Sequence, residues 1–149
     1  MCAGVRIVLW QGEAACIGRI QTVLAAAVGD PSEGGLTRLL NETYRASGAR
    51  LDVIWDGTEI IGVIGSRARG SDLAEILHLA VDAPYRGRGW GRTAVHHLST
   101  AVYPDRSLMA ETDQDAVGFY ARLGFSTEPL GEKYPGRERF RCILGGGGN

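Results

Sequence analysis

Residues Arg86-Gly87-Arg88-Gly89-Trp90-Gly91 set three glycines at alternate positions between an apolar run, Leu73–Val81, and a stretch with helical spacing. Glycine opens backbone conformations closed to residues with a Cβ and lets a ligand approach the main chain. The first amide N–H groups of a helix have no partner within it, and the macrodipole makes that end partly positive. Such a segment can cradle a phosphate, and Arg86, Arg88 and Arg92 add full charges to it. A glycine-rich surface turn is the structural alternative.

Spacing separates the phosphate-binding patterns. A dinucleotide fingerprint G-x-G-x-x-G built on Gly87 and Gly89 needs a third glycine where Arg92 stands. A Walker-type loop ending at Gly91-Arg92-Thr93 has Arg86 in place of its first glycine and arginine in place of its lysine. The pattern [RQ]-x-x-G-x-[GA] between a strand and a helix is satisfied by Arg86, Gly89 and Gly91. It resembles the coenzyme A pyrophosphate loop of the GNAT superfamily of N-acetyltransferases. Two further segments carry the same resemblance at ordinary separations. Leu73-Ala74-Glu75-Ile76-Leu77-His78-Leu79-Ala80-Val81 is similar to the strand before that loop, and Ala116-Val117-Gly118-Phe119-Tyr120-Ala121-Arg122-Leu123-Gly124-Phe125 to the family's A-x-x-[FL]-Y-x-x-x-G-F helix. The resemblance covers residues 73–125 directly and the rest through the order of strands and helices.

Acetyl transfer from a thioester to an amine needs a deprotonated amine, a polarised carbonyl and a proton for the departing thiolate. Glu75 stands in an otherwise apolar strand, where a carboxylate needs water, a partner or a job. Its position resembles that of the catalytic glutamate in the histone-acetylating branch, and apolar surroundings would raise its pKa toward that of a useful base. An ion-paired glutamate is the structural alternative. His78 is the rival base, with an ordinary pKa of roughly 6.5, on the opposite strand face if alternation holds. A water relay is the third route. For polarisation, the resemblance implies a bulge near Leu79–Val81, with the Leu79 N–H near the thioester carbonyl and Val81 pairing with the pantetheine arm; Ala80 lies between them.

Tyr120 shares a helical stripe with Ala116, Phe119 and Leu123, a pattern that also suits plain core packing. The resemblance implies that its hydroxyl approaches the coenzyme sulfur and protonates it, with Phe119 beside the coenzyme. Many relatives carry asparagine, in contact with the coenzyme, where Asp113 stands here. An ionised aspartate accepts hydrogen bonds but donates none, and it is a good helix N-cap. The donor substrate implied is acetyl-CoA, with no metal. The acceptor is an amine, walled in this family by the first two helices and the last hairpin. Here those offer Trp10, Glu33, Glu42, Tyr44, Glu132, Tyr134 and Arg137, and Gly131–Gly136 reads as a lid or a plain β connection. A catalytically silent acyl-CoA-binding module and a nucleotide-binding protein are the competing classes.

The elements that must position these groups follow from periodicity and punctuation. Val5–Trp10 reads as a strand, then residues 12–28 and 35–47 as helices around the breaker Gly29–Gly34. Leu51–Trp55 and Glu59–Arg67 flank Asp56-Gly57-Thr58 as a hairpin. Residues 89–103 place Trp90, Ala94, Leu98 and Ala101 on one helical face before Pro104. Ser107–Glu111 is the next strand, parallel to 73–81 by a helical, right-handed crossover, and Glu138–Leu144 the last. The fold implied is α+β and GNAT-like: a mixed, mostly antiparallel sheet of six or seven strands, about four helices, and a splayed parallel pair, 73–81 with 107–111. One domain over 1–144 and a flexible tail, 145–149, are expected.

The chain has 149 residues, enough for one domain burying roughly 70% of its unfolded surface. Its 16 basic and 17 acidic residues give a net charge of −1, which offers no field for nucleic acid. Cys2, Cys16 and Cys142 form neither a disulfide framework nor a metal set, as expected of reduced thiols in a cytoplasm. No apolar stretch approaches the roughly 20 residues of a membrane span, and no secretion signal is read at the start. Sheet edges leave a homodimer open.

Overall fold

The computed structural model describes residues 4–28, 31–45 and 48–145, without the side chains of residues 133 and 134. The strands are β1 (Val5–Leu9), β2 (Arg50–Asp56), β3 (Glu59–Arg69), β4 (Leu73–Val81), β5 (Ser107–Asp113), β6 (Ser126–Tyr134) and β7 (Arg137–Leu144). The helices are α1 (Ile17–Leu24), α2 (Glu33–Arg38), α3 (Trp90–His97) and α4 (Gln114–Arg122). This is the mixed, seven-stranded α+β architecture that the resemblance implied. The chain groups into two compact units, residues 1–67 with 77–97 and residues 68–76 with 98–149.

In the first unit β1, β2 and β3 are antiparallel neighbours. The β2–β3 hairpin turns at Gly57, whose φ of +61° favours glycine. Register shifts between Ile54 and Trp55, where Ile61 is the extra residue of a bulge in β3. Helix α1 places Ile20, Val23 and Leu24 on one face, all buried. Burying a side chain such as Leu24 contributes about 1.5–3 kcal/mol. They pack with Leu36, Leu40, Leu51, Val53 and Val63. Helix α2 starts at Glu33, two residues earlier than the sequence pattern suggests, because Ser32 Oγ accepts from Gly35 N at 3.1 Å and caps it. A π-helical segment, Leu39–Arg45, follows it.

In the second unit the order is β4-β5-β7-β6. The first half of β4 pairs parallel with β5, from Leu73↔Ser107 to Ile76↔Ala110, and β5–β7 and β7–β6 are antiparallel. Ala74, Ile76, Leu108, Ala110, Phe125 and Cys142 are buried here. Residues 131–134 belong to β6 rather than to a lid, so the segment before the last strand is a plain hairpin. The helical stripe across residues 90–101 breaks down at its end. Ala94 and Leu98 are buried but Ala101 is exposed. The cause is a π-helical segment, Leu98–Val102, closed by Tyr103 N donating to Leu98 O at 2.7 Å. Its extra residue per turn moves Ala101 out of phase.

Trp10 falls just past β1 and is buried, its indole N–H donating to Glu13 O. Cys142 is buried and Cys16 packs on the first unit's core. Cys2 and the tail residues 146–149 lie outside the described residues. No described helix is long and apolar enough to cross a membrane.

Candidate active site

The chain leaves β4 through Asp82, makes a short 3-10 turn at Ala83–Tyr85, and enters α3 at Trp90. Gly87 (φ +77°) and Gly89 (φ +87°) are left-handed. A Cβ at either would meet no atom within 4 Å, so conformation rather than space demands glycine there. Gly91 is ordinary helix, and the third glycine of the motif is not needed for a positive φ. Gly89 precedes the first helical residue and has no side chain to cap the helix. It therefore offers no side-chain acceptor to the early N–H groups of α3.

The three arginines do different things. Arg86 Nε donates to the Val81 carbonyl at 2.7 Å and fastens the loop to the end of its strand. The Arg88 guanidinium lies over the Tyr85 ring, 5.8 Å from its centroid. Arg92 is exposed on the first turn of α3.

The root of this loop is held by residues that sequence reasoning missed. Asp82 N donates to the carbonyl of the bulged Ile61 at 2.8 Å. Its carboxylate accepts from Arg19 Nη2 of α1 at 2.6 Å, and Arg19 Nε donates to Ile60 O at 3.1 Å. A second anchor holds α3 itself. Asp52, fully buried on β2, bonds Arg50 at 2.8 Å and stands 3.5 Å from His97 Nε2 at the helix end. Arg19→Met, which keeps the apolar stem, should free the root of the loop, read as faster amide hydrogen exchange at Asp82, whose N–H is bonded to Ile61 O.

Of the residues picked from the sequence, Leu79, Ala80, Val81 and 86–92 lie in the first unit. Glu75, Asp113, Phe119 and Tyr120 lie in the second. Leu77 and Ala80 both pack on the first unit's core although they are three residues apart, a departure from strict alternation. Glu75 forms an ion pair with Arg69, the structural alternative the sequence offered for it.

Tyr120 is 7% exposed and sits three residues before the α4 C-cap. Gly124 (φ +97°) ends the helix: its N–H reaches Ala121 O at 3.0 Å, and Phe125 N reaches Tyr120 O at 3.1 Å. This is a Schellman motif, and the Tyr120 and Phe125 rings make its apolar contact, edge to face at 5.2 Å. The spacing Y-x-x-x-G-F is thus what fixes the tyrosine in place. Phe119 also packs edge to face with Tyr120, at 5.0 Å. Burial pushes the Tyr120 phenol well above its ordinary pKa, with nearby Cys142 adding to the shift.

Asp113 is the N-cap of α4, its Oδ1 accepting from Asp115 N at 3.0 Å and Ala116 N at 3.2 Å. The aspartate that departs from the family's asparagine therefore has a structural task. Asp113→Ala should cost about 1 kcal/mol of stability, read as a lower midpoint in denaturant unfolding.

The sequence profile of the Acetyltransferase (GNAT) family matches residues 21–125. The chain belongs to that family. It is 33% identical over 105 residues to mycothiol acetyltransferase of Corynebacterium glutamicum (strain R), covering 64% of this chain and 36% of that protein. It is 29% identical over 146 residues to mycothiol acetyltransferase of Mycobacterium sp. (strain JLS), covering 88% and 49%. The chain thus spans no more than about half the length of these relatives. Among solved structures, a putative acetyltransferase of the GNAT family from Desulfovibrio desulfuricans superposes with a TM-score of 0.78 at 20% identity, over 95% of this chain and 98% of that one. The N152L mutant of spermidine N-acetyltransferase from Vibrio cholerae gives 0.73 at 18% identity, over 95% and 94%. These superpositions establish the fold.

Proposed function

We propose that this chain transfers the acetyl group of acetyl-CoA to a primary amine by direct attack within a ternary complex. The observation that carries the reading is the loop at 82–92. Two left-handed glycines lead into a helix that starts after Gly89, a residue with no side chain to cap it, with arginines around that start, and this suits a pyrophosphate. Family membership and relatives named as acetyltransferases support the same chemistry.

The loop amides and Arg88 and Arg92 hold the pyrophosphate. The Leu79 N–H polarises the thioester carbonyl, and Val81 lies along the pantetheine arm. The ammonium of the acceptor loses its proton to water, since Glu75 is engaged by Arg69. The neutral amine adds to the carbonyl carbon, the C–S bond breaks with its electron pair on sulfur, Tyr120 protonates the thiolate, and the proton that the new amide nitrogen sheds returns through water to the phenolate. Burial keeps the phenol protonated.

A panel of amines incubated with acetyl-CoA and followed by thiol release tests the reading. Turnover with at least one amine is the expected result. Tight acetyl-CoA binding without thiol release from any amine would leave a silent acyl-CoA-binding module. A larger rise in melting temperature with ATP or NAD than with coenzyme A would assign the loop to a nucleotide.

A further inference from the structure

Strand β1 has one neighbouring strand among the described residues, β2, so backbone groups line its far edge with no strand beside them. Two hydrogen bonds fix which groups those are. Gly57 N donates to Gly4 O at 2.7 Å, and Trp10 N donates to Leu51 O at 2.8 Å. Antiparallel pairs alternate between bonded and non-bonded, so Gly4, Arg6, Val8 and Trp10 turn their main-chain groups toward β2. Val5, Ile7 and Leu9 turn their N–H and C=O outward.

Natural sheets blunt such edges, and the second unit shows how. There β6, last in the strand order, carries Pro129, irregular register between Pro129 and Gly131 and again between Glu132 and Tyr134, and the carboxylates Glu128 and Glu132. Strand β1 has none of these devices. It pairs with β2 in unbroken register and contains neither proline nor a carboxylate. Its one charge is drawn back over the sheet: the Arg6 guanidinium lies 5.0 Å from the centroid of the Trp55 ring, and Nη1 donates to Gly57 O at 2.9 Å. Val8 and Leu9, on opposite faces of the strand, are 42% and 37% exposed.

We propose that two copies of this chain pair antiparallel through the free edge of β1, with Ile7 of one copy against Ile7 of the other about a two-fold axis. That register joins Val5 to Leu9, Ile7 to Ile7 and Leu9 to Val5, each pair exchanging its outward N–H and C=O groups. Every side chain on that face is apolar, and such cross-strand pairs stabilise a sheet. On the other face Arg6 meets Val8 of the second copy. A register centred on Arg6 would set the two guanidinium groups against each other, and one centred on Val8 gives up the bonds of Val5. The favoured register also serves the charges. Arg6, Val8 and Glu13 line one cleft, so the second copy's Arg6, arriving opposite Val8, comes to the side where the Glu13 carboxylate stands. The two-fold axis repeats that contact, which makes the edge complementary to itself.

Sedimentation equilibrium of the full chain from about 1 to about 200 µM should show monomer and dimer in exchange. Ile7→Pro removes an outward N–H that makes no bond to β2, so the monomer keeps its ladder while the dimer Kd rises about tenfold or more. Val8→Arg places a cation against the second copy's Arg6 and Val8→Glu an anion, so the Arg variant should pair about tenfold more weakly than the Glu variant, with the gap narrowing in salt.

Hydrogen exchange in the unaltered chain needs no variant. The amides of Val5, Ile7 and Leu9 should exchange more slowly as concentration rises, while those of Arg6 and Val8 are protected throughout. A monomer at every concentration, a dimer whose Kd Ile7→Pro leaves within twofold, equal pairing of the Arg and Glu variants, or outward amides that ignore concentration would each overturn the inference.

Discussion

Gly89→Asp should weaken acetyl-CoA binding by about 100-fold or more while leaving the chain folded. Two effects add. An L residue at φ +87° is strained by about 1–2 kcal/mol. A carboxylate about 5 Å from a pyrophosphate charge at an effective dielectric near 20 costs about 3 kcal/mol before screening. The strain alone can be isolated, because a Cβ at residue 89 meets nothing within 4 Å. Gly89→Ala carries the strain without the charge, and the difference between the two variants reads the anion. Calorimetric titration with acetyl-CoA at two salt concentrations checks this. The Asp–Ala gap should narrow at high salt. An Asp variant that binds acetyl-CoA within threefold of the unaltered chain would remove the loop from the donor site.

The backbone of the loop was legible in the sequence because its conformation is local. Positive φ at Gly87 and Gly89 is a property of single residues, and strand, turn and helix follow one another without a break. The place of Tyr120 on α4 was legible for a related reason: the Gly124-Phe125 pair ends its helix, and the Phe125 ring packs on the tyrosine. The hairpin at Gly57 and the parallel pair 73–76 with 107–110 followed from punctuation and crossover length in the same way.

What escaped the sequence is what depends on partners in other elements. Asp82 meets Arg19 across 63 residues, and nothing in either segment announces the other. Glu75 could be read as a lone carboxylate in an apolar strand only until Arg69, on the preceding strand, was placed beside it. His78 looked like a rival base for a similar reason, since its partner is the Tyr44 hydroxyl, brought over by a π-helical segment. Helix periodicity assumes 3.6 residues per turn, so neither that segment nor Leu98–Val102, which turned Ala101 outward, could be seen in advance.

Tyr120→Phe should lower kcat by about ten- to a hundredfold and leave the KM for acetyl-CoA within about twofold. The range sits toward the low end of general acid catalysis because thiolate is a tolerable leaving group. Phenylalanine keeps the edge-to-face contacts with Phe119 and Phe125 and the backbone bonds of the Schellman motif, so the fold should survive. The pH dependence supplies a sharper test. Burial raises the phenol's pKa, and the protonated form is the acid, so the active form persists to higher pH than an exposed tyrosine near 10 would allow. The kcat of the unaltered chain should therefore show no fall up to about pH 10, where an unshifted phenol would be half ionised, while that of the Phe variant stays lower at every pH. A Phe variant within twofold of the original kcat, measured by thiol release under saturation, would mean that the thiolate leaves unprotonated and that Tyr120 serves only to pack the end of α4.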